Sequence, residues 1–235
     1  MSRIFIEFSY DGSKFHGFQR QNNLRSVQKE IEEALEKIFN EKIEIKGAGR
    51  TDAKVHALGQ TATFDIPYKI DNLKKELNKV LKDIRIKDCK EVPDDFHARF
   101  SAVGKKYVYK IILDEKGKDD YHLYVQNIDL QKMKEASKLF IGRHDFRNFV
   151  AGERDDYETI IHSIKFYKRG KNLSIEFYGV GFFRYMVRNI VGALIQIGRH
   201  KIEEKDIKEM LDNPTKRRQL ATALPEGLYL IKVYY

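Results

Sequence analysis

The segment Gly47-Ala48-Gly49-Arg50-Thr51-Asp52-Ala53-Lys54-Val55-His56-Ala57-Leu58-Gly59-Gln60 places a guanidinium, a hydroxyl, a carboxylate, an ammonium and an imidazole within seven residues. It joins two strand-like stretches through about a dozen residues, where a hairpin needs two to five. Loops of that length inside a compact domain are usually functional. The same residues also admit a bland reading, in which Asp52 caps a turn and Arg50 is solvated. The segment alone leaves both open.

Other chemistries are excluded by what the motifs lack. Gly12-Ser13-Lys14-Phe15-His16-Gly17 has the glycine spacing of a phosphate-binding P-loop, but Phe18 stands where the lysine is required. Gly47-Ala48-Gly49 lacks the third glycine of a dinucleotide fingerprint, and Asp52 occupies its place. No His pair sits at i, i+4 and no Cys-x-x-Cys exists, so no metal site is expected. No serine nucleophile elbow is present. What remains is metal-free chemistry by side chains.

The elements that must position such a loop follow from periodicity. Ile4, Ile6 and Phe8 alternate as in a strand, and Ser26 is placed to cap a helix carrying Val27, Ile31, Leu35 and Ile38. Strands are expected at 43–46 and 60–66, a helix around Leu73 to Leu81 and a short strand at 84–87. This order is β-α-β-β-α-β. It recurs in the second half: a strand at 107–113, a helix capped by Asp129, a hairpin of 160–167 and 173–178, a long apolar helix from Phe182 to Ile197 and a closing strand from Leu228 to Tyr235. A short helix around Asp206 to Leu211 interrupts it. The fold expected is therefore α+β: two ferredoxin-like halves, 1–103 and 104–235, joined into one mixed, mostly antiparallel sheet with a central cleft. An extra strand at 96–100 is assigned to the first half.

Composition sets the partner class. The 235 residues carry 44 Lys plus Arg against 35 Asp plus Glu, a net charge of +9. Nucleic acid is the commonest large polyanion met by a soluble basic protein. The single Cys89 rules out an intramolecular disulfide and fits a reducing, cytoplasmic setting. No apolar run approaches the ~20 residues needed to cross a bilayer.

Five blocks, in order along nearly the whole chain, closely resemble the TruA-type tRNA pseudouridine synthase family (tRNA pseudouridine synthase A). They are Tyr10 to Gln19 with Ser26-Val27-Gln28, Gly47 to Gln60, Phe96 to Ala102 with Lys106 to Tyr109, Gly142 to Phe146, and Gly181 to Gly192. The resemblance implies an enzyme that isomerises uridine to pseudouridine in the anticodon arm of tRNA, at positions 38 to 40, without a cofactor and as a homodimer. It implies Asp52 as the catalytic carboxylate and Arg188 as its basic partner. Tyr107 would lie against the target base, and Arg50 would help displace that base from its stack. On the residues alone, Tyr107 is a strand-core tyrosine with Tyr109 as a decoy on the same face, and Arg188 could snorkel outward. Candidate contacts to the RNA backbone are Lys14, Arg20, Arg25, Lys54, Arg143 and the Lys216-Arg217-Arg218 run.

The chain departs from the family pattern at Lys54, where glycine is usual. A positive φ there would cost about 1–2 kcal/mol. Attack on the sugar, attack on the base and a glycal-type route remain open. Two rival functions also remain: a non-catalytic RNA-binding module, and a related synthase acting at another RNA position.

Overall fold

The computed structural model describes residues 2–114, 116–214 and 220–235. The chain is α+β, its strands paired in a mixed, mostly antiparallel manner. It divides into two compact units, 1–103 with 229–235, and 104–228.

In the first unit β1 (Ser2–Tyr10), α1 (Val27–Phe39), β2 (Lys46–Gly47), β3 (His56–Ile66), α2 (Leu73–Val80) and β4 (Ile84–Val92) follow in order. The strands lie in the order β4-β1-β3, with β2 on the far side of β3, all antiparallel. Helix α1 buries Val27, Ile31, Ala34, Leu35 and Phe39, a stripe at 3.6-residue spacing. Ser26 has the extended backbone of an N-cap, but its side chain makes no capping bond. The first helical amides bond instead to the carbonyls of Gly17 and Phe18, at 3.2 and 2.9 Å from Val27 and Gln28. This docks the start of α1 onto the segment that faces the Asp52 loop. The strand expected at 43–46 is reduced to Lys46–Gly47, because the Ile45 amide donates to the Glu32 carboxylate at 3.2 Å rather than to a neighbouring strand. The strand expected at 96–100 is a closed turn: Ser101 N–H donates to His97 O at 2.9 Å, and His97 N–H to Ser101 Oγ at 3.0 Å.

In the second unit β5 (Gly104–Ile112) pairs with β9 (Asn172–Gly179), which pairs with β8 (Glu158–Arg169), which pairs with β7 (Gly142–Asp145). The short β6 (Leu123–Tyr124) runs parallel to the end of β5. Helix α3 (Leu130–Ser137) is capped by Asp129, whose carboxylate accepts the Gln131 and Lys132 amides. The apolar run at 182–197 becomes helical only at α4 (Met186–Gly198). Tyr185 adopts a left-handed φ of 64° just before it, so the chain turns there, and apolar periodicity carries no sign of that. Helix α4 is buried nearly all round, and α5 (Glu204–Asp212) follows. The last strand, β10 (Leu228–Tyr234), runs parallel to β3 at Tyr229↔His56 and Leu230↔Ala57, so its residues from Tyr229 onward group with the first unit.

Candidate active site

The Asp52 loop spans the gap between β2 and β3 and is fixed at almost every residue. At its start, Ala48 N–H donates to Thr61 O at 2.9 Å and Gln60 Nε2 donates to Gly49 O at 3.0 Å. In its middle, the Thr51 carbonyl accepts Phe18 N–H at 3.0 Å, and the Thr51 hydroxyl meets the Tyr10 hydroxyl at 2.8 Å. At its end, the Val55 amide donates back to Asp52 O at 3.1 Å, closing a turn over 52–55. The third residue of that turn, Lys54, has φ 66°. A positive φ at this position is the type II pattern, which favours glycine.

The glycines of the 10–19 segment make this contact possible. Gly17 has φ +100°, and a Cβ there would lie 3.1 Å from Thr51 O; one on Gly12 would run into the carbonyl of Val55. Two backbones thus touch where a side chain would separate them. His56 locks the same junction. Gly12 N–H points at its Nδ1 at 3.1 Å. Asp11 Oδ1 lies 3.2 Å from that nitrogen, and the ring stacks on Tyr229 at 4.5 Å. His56 is buried. Burial pushes the Tyr10 hydroxyl up to about 12, against hydrogen bonds to Thr51 and Gln60 that act the other way. Tyr10 therefore stays a neutral hydrogen-bonding strut.

The outcome for the candidate residues of this unit is plain. Asp52 is half-buried on the pinned loop, while Arg50 and Lys54 on either side are exposed. Lys14 is exposed on the turn after β1. Arg20 and Arg25 are engaged internally: Arg20 bonds Glu32 at 2.8 Å, and Arg25 bonds Glu30 at 3.0 Å and Asp83 at 2.8 Å while covering the Phe15 ring. Part of their charge is therefore already balanced.

In the second unit Tyr107 is buried on β5, opposite Phe177, with the Phe182 ring edge-on at 5.3 Å. Tyr109, two residues on, is fully buried and donates its hydroxyl to Leu224 O at 2.5 Å, a structural bond that suits a core tyrosine. Arg188 lies in the first turn of α4, half-buried. It does not simply snorkel: its Nε donates to Ala223 O at 2.8 Å, and its guanidinium lies over the Tyr185 ring at 4.5 Å. The Ala223 amide in turn donates to Arg188 O at 3.1 Å, so the 220–224 stretch and the helix start brace one another. Arg143 is exposed and 3.6 Å from Glu158. Lys216, Arg217 and Arg218 lie outside the described residues. Among the described residues no group of His, Cys, Asp and Glu is arranged to hold a metal ion, and no helix is long and apolar enough to cross a membrane.

Sequence reasoning gave Tyr10, Gln60, His56 and Tyr185 no role of their own. The first three touch the loop or its anchor only after β1 and β3 pair, and Tyr185 is marked only by its backbone angle. The one available signal was polar side chains on otherwise apolar strands.

A family model described as tRNA pseudouridine synthase matches residues 7–101 and 136–235. The chain is 41% identical over 249 residues to the tRNA pseudouridine synthase A of Listeria monocytogenes serotype 4a (strain HCC23), with 100% of each chain covered. It is 41% identical over 248 residues to that of Thermosipho africanus (strain TCF52B), again with 100% of each covered. With the protein of the same name from Methylacidiphilum infernorum (isolate V4) the identity is 38% over 242 residues, covering 98% of this chain and 94% of the relative.

Proposed function

This chain belongs to the tRNA pseudouridine synthase family, and from that premise we propose that it isomerises uridine to pseudouridine in the anticodon stem-loop of tRNA, at positions 38 to 40, through Asp52. The reaction breaks the uridine N1–C1′ bond, turns the uracil and joins C5 to C1′. The proton on C5 is lost and N1 gains one, so nothing is oxidised or reduced and no cofactor is consumed. Attack on C1′, attack on the base and abstraction of a sugar proton all call for an ionised carboxylate held in place. The observation that carries the reading is the anchoring of the Asp52 loop by Tyr10, Gly12, Gly17 and Gln60. Such fixing keeps a carboxylate within the narrow geometry that catalysis needs.

The remaining roles follow from chemistry. Asp52 must stay charged where water is excluded, which a guanidinium favours; Arg188 supplies it. Its braced position holds the charge without costly freedom. Tyr107 stacks on the flipped uracil, and Arg50 helps displace that base from its stack. Lys14, Arg143 and the 216–218 run hold phosphates, with a smaller part for Arg20 and Arg25. The enzyme works in the cytoplasm as a homodimer, one subunit gripping the tRNA body while the other holds the target uridine.

The test is incubation of the protein with unmodified tRNA and chemical mapping of pseudouridine, with and without Asp52→Asn. Wild type yields product in the anticodon arm, and Asp52→Asn yields none while still binding tRNA. No product from wild type on any tRNA overturns the enzyme reading; product at another position overturns the assigned site.

A further inference from the structure

Away from the Asp52 loop, the first unit presents one aromatic ring almost wholly to solvent. Phe100 is 76% exposed. A single exposed apolar residue is ordinary, but this one stands on a built support. The 97–101 turn is closed by the His97–Ser101 pair of hydrogen bonds, and His97 Nδ1 also accepts the Arg99 amide at 3.0 Å. Beneath it Ala98 is fully buried, its carbonyl accepting the Tyr235 hydroxyl at 2.8 Å. Phe96 packs into the Phe5 and Tyr235 rings at 5.7 and 5.0 Å. The turn is thus bolted to β1 and to Tyr235.

The ring is also flanked by groups of one chemical kind. The His97 imidazole lies 4.5 Å from it at a 43° tilt, and the Arg99 guanidinium is 5.5 Å from its centre. Burial, together with the charges of Lys46, Arg3 and Arg99, holds His97 below its ordinary range, so at neutral pH it is an uncharged aromatic in a cationic neighbourhood. Arg3 is balanced by Asp65. Lys46 also faces Asp65, and Asp94 and Asp95 act on Arg3, so the exposed Arg99 is the cation that stands against the ring. An exposed ring beside cations is how proteins hold single-stranded nucleic acid, with stacking supplying affinity and the cations tracking phosphates.

We propose that Phe100, with His97 and Arg99, is a second RNA contact: a stacking platform for an unpaired nucleobase, its flanking phosphate held by Arg99. The proposal rests on the RNA-substrate reading above and adds a site separate from the Asp52 loop. Base–aromatic stacking is worth roughly 1–3 kcal/mol per base, or about 5- to 150-fold in affinity. Phe100→Ala therefore raises the tRNA Kd within that range and raises KM far more than it lowers kcat.

The chain contains no tryptophan, so Phe100→Trp creates a sole indole reporter at the platform. Titrating that variant with unmodified tRNA, and separately with a short single-stranded oligoribonucleotide, quenches its fluorescence if a base stacks there. An indole emission unchanged at saturating tRNA overturns the proposal. An emission that shifts to the blue with protein concentration and ignores RNA also overturns it, and assigns the surface to a second copy of the chain. Pseudouridine formation by the wild type is scored in parallel. Quenching without product by wild type leaves the platform standing and removes the enzyme reading; product without quenching does the reverse.

Discussion

The Tyr10 hydroxyl lies 2.8 Å from the Thr51 hydroxyl in a buried contact, tying the end of β1 to the residue directly before Asp52. Tyr10→Phe removes one partner and leaves the Thr51 hydroxyl in a buried site. The expected cost is about 1–3 kcal/mol in urea unfolding. Adding Thr51→Val recovers part of it, since two apolar partners strand no polar atom. Turnover falls further than stability explains, by roughly 10- to 100-fold, because the neighbouring carboxylate loses its register. A single-turnover rate equal to wild type would show that the bond is structural only.

Two buried tyrosines, Tyr10 and Tyr109, and the partly exposed Tyr235 set an alkaline limit. Burial pushes Tyr10 and Tyr235 up to about 12, and Tyr109 higher still. A phenol ordinarily ionises near ~10. The native fold binds these protons more tightly than the unfolded chain, so their contribution is fully present below about pH 10 and is lost as pH rises toward about 12. Melting temperature falls over that window as tyrosinate absorbance appears, and Tyr10→Phe flattens the fall. A melting temperature constant across the window would contradict it.

Lys54 holds a left-handed φ of 66° in the turn that closes on Asp52. Lys54→Gly relieves about 1–2 kcal/mol of backbone strain, less what a more flexible unfolded chain takes back. The variant melts at higher temperature yet binds tRNA more weakly. The slope of log affinity against log salt falls by about 1. Lys54→Gln separates the two effects: it loses the charge and keeps the strain. Unchanged salt dependence in both variants would remove Lys54 from the RNA contacts.

A Cβ at Gly12 would enter the Val55 carbonyl, so Gly12→Ala must push the 10–19 segment off the Asp52 loop. The loss in kcat should exceed the loss expected from reduced stability, with tRNA binding little changed. Equal activity per folded molecule would mean that the loop tolerates the shift.

Arg188→Lys keeps the charge but lacks the Nε that bonds Ala223 O and the flat group that covers Tyr185. About 1 kcal/mol of stability is expected to go with the lost hydrogen bond. If Arg188 holds Asp52 ionised, the acid limb of the pH–rate profile moves to higher pH in Arg188→Lys and further in Arg188→Gln. An unmoved limb would confine Arg188 to the brace.

The amino-acid order by itself determined the element types, because apolar spacing reports which face is buried. It also marked the Asp52 loop by its density of polar and glycine residues, although β3 begins at His56 rather than at 60, so the connection is eight residues, 48–55, and not the dozen expected. It could not place what depends on closure between distant segments. The 97–101 stretch reads as a strand until His97 and Ser101 bond one another, and the run from Phe182 reads as helix until Tyr185 turns left-handed. Tyr10, His56 and Gln60 look like ordinary strand residues; only β1–β3 pairing brings them onto the loop and its anchor. Composition gave a charge of +9, but tertiary structure decided which cations are already spent, as Arg20 and Arg25 are on carboxylates of α1 and Asp83. Periodicity is local and survives in one dimension, whereas partnership is a matter of distance, which the chain acquires only by folding.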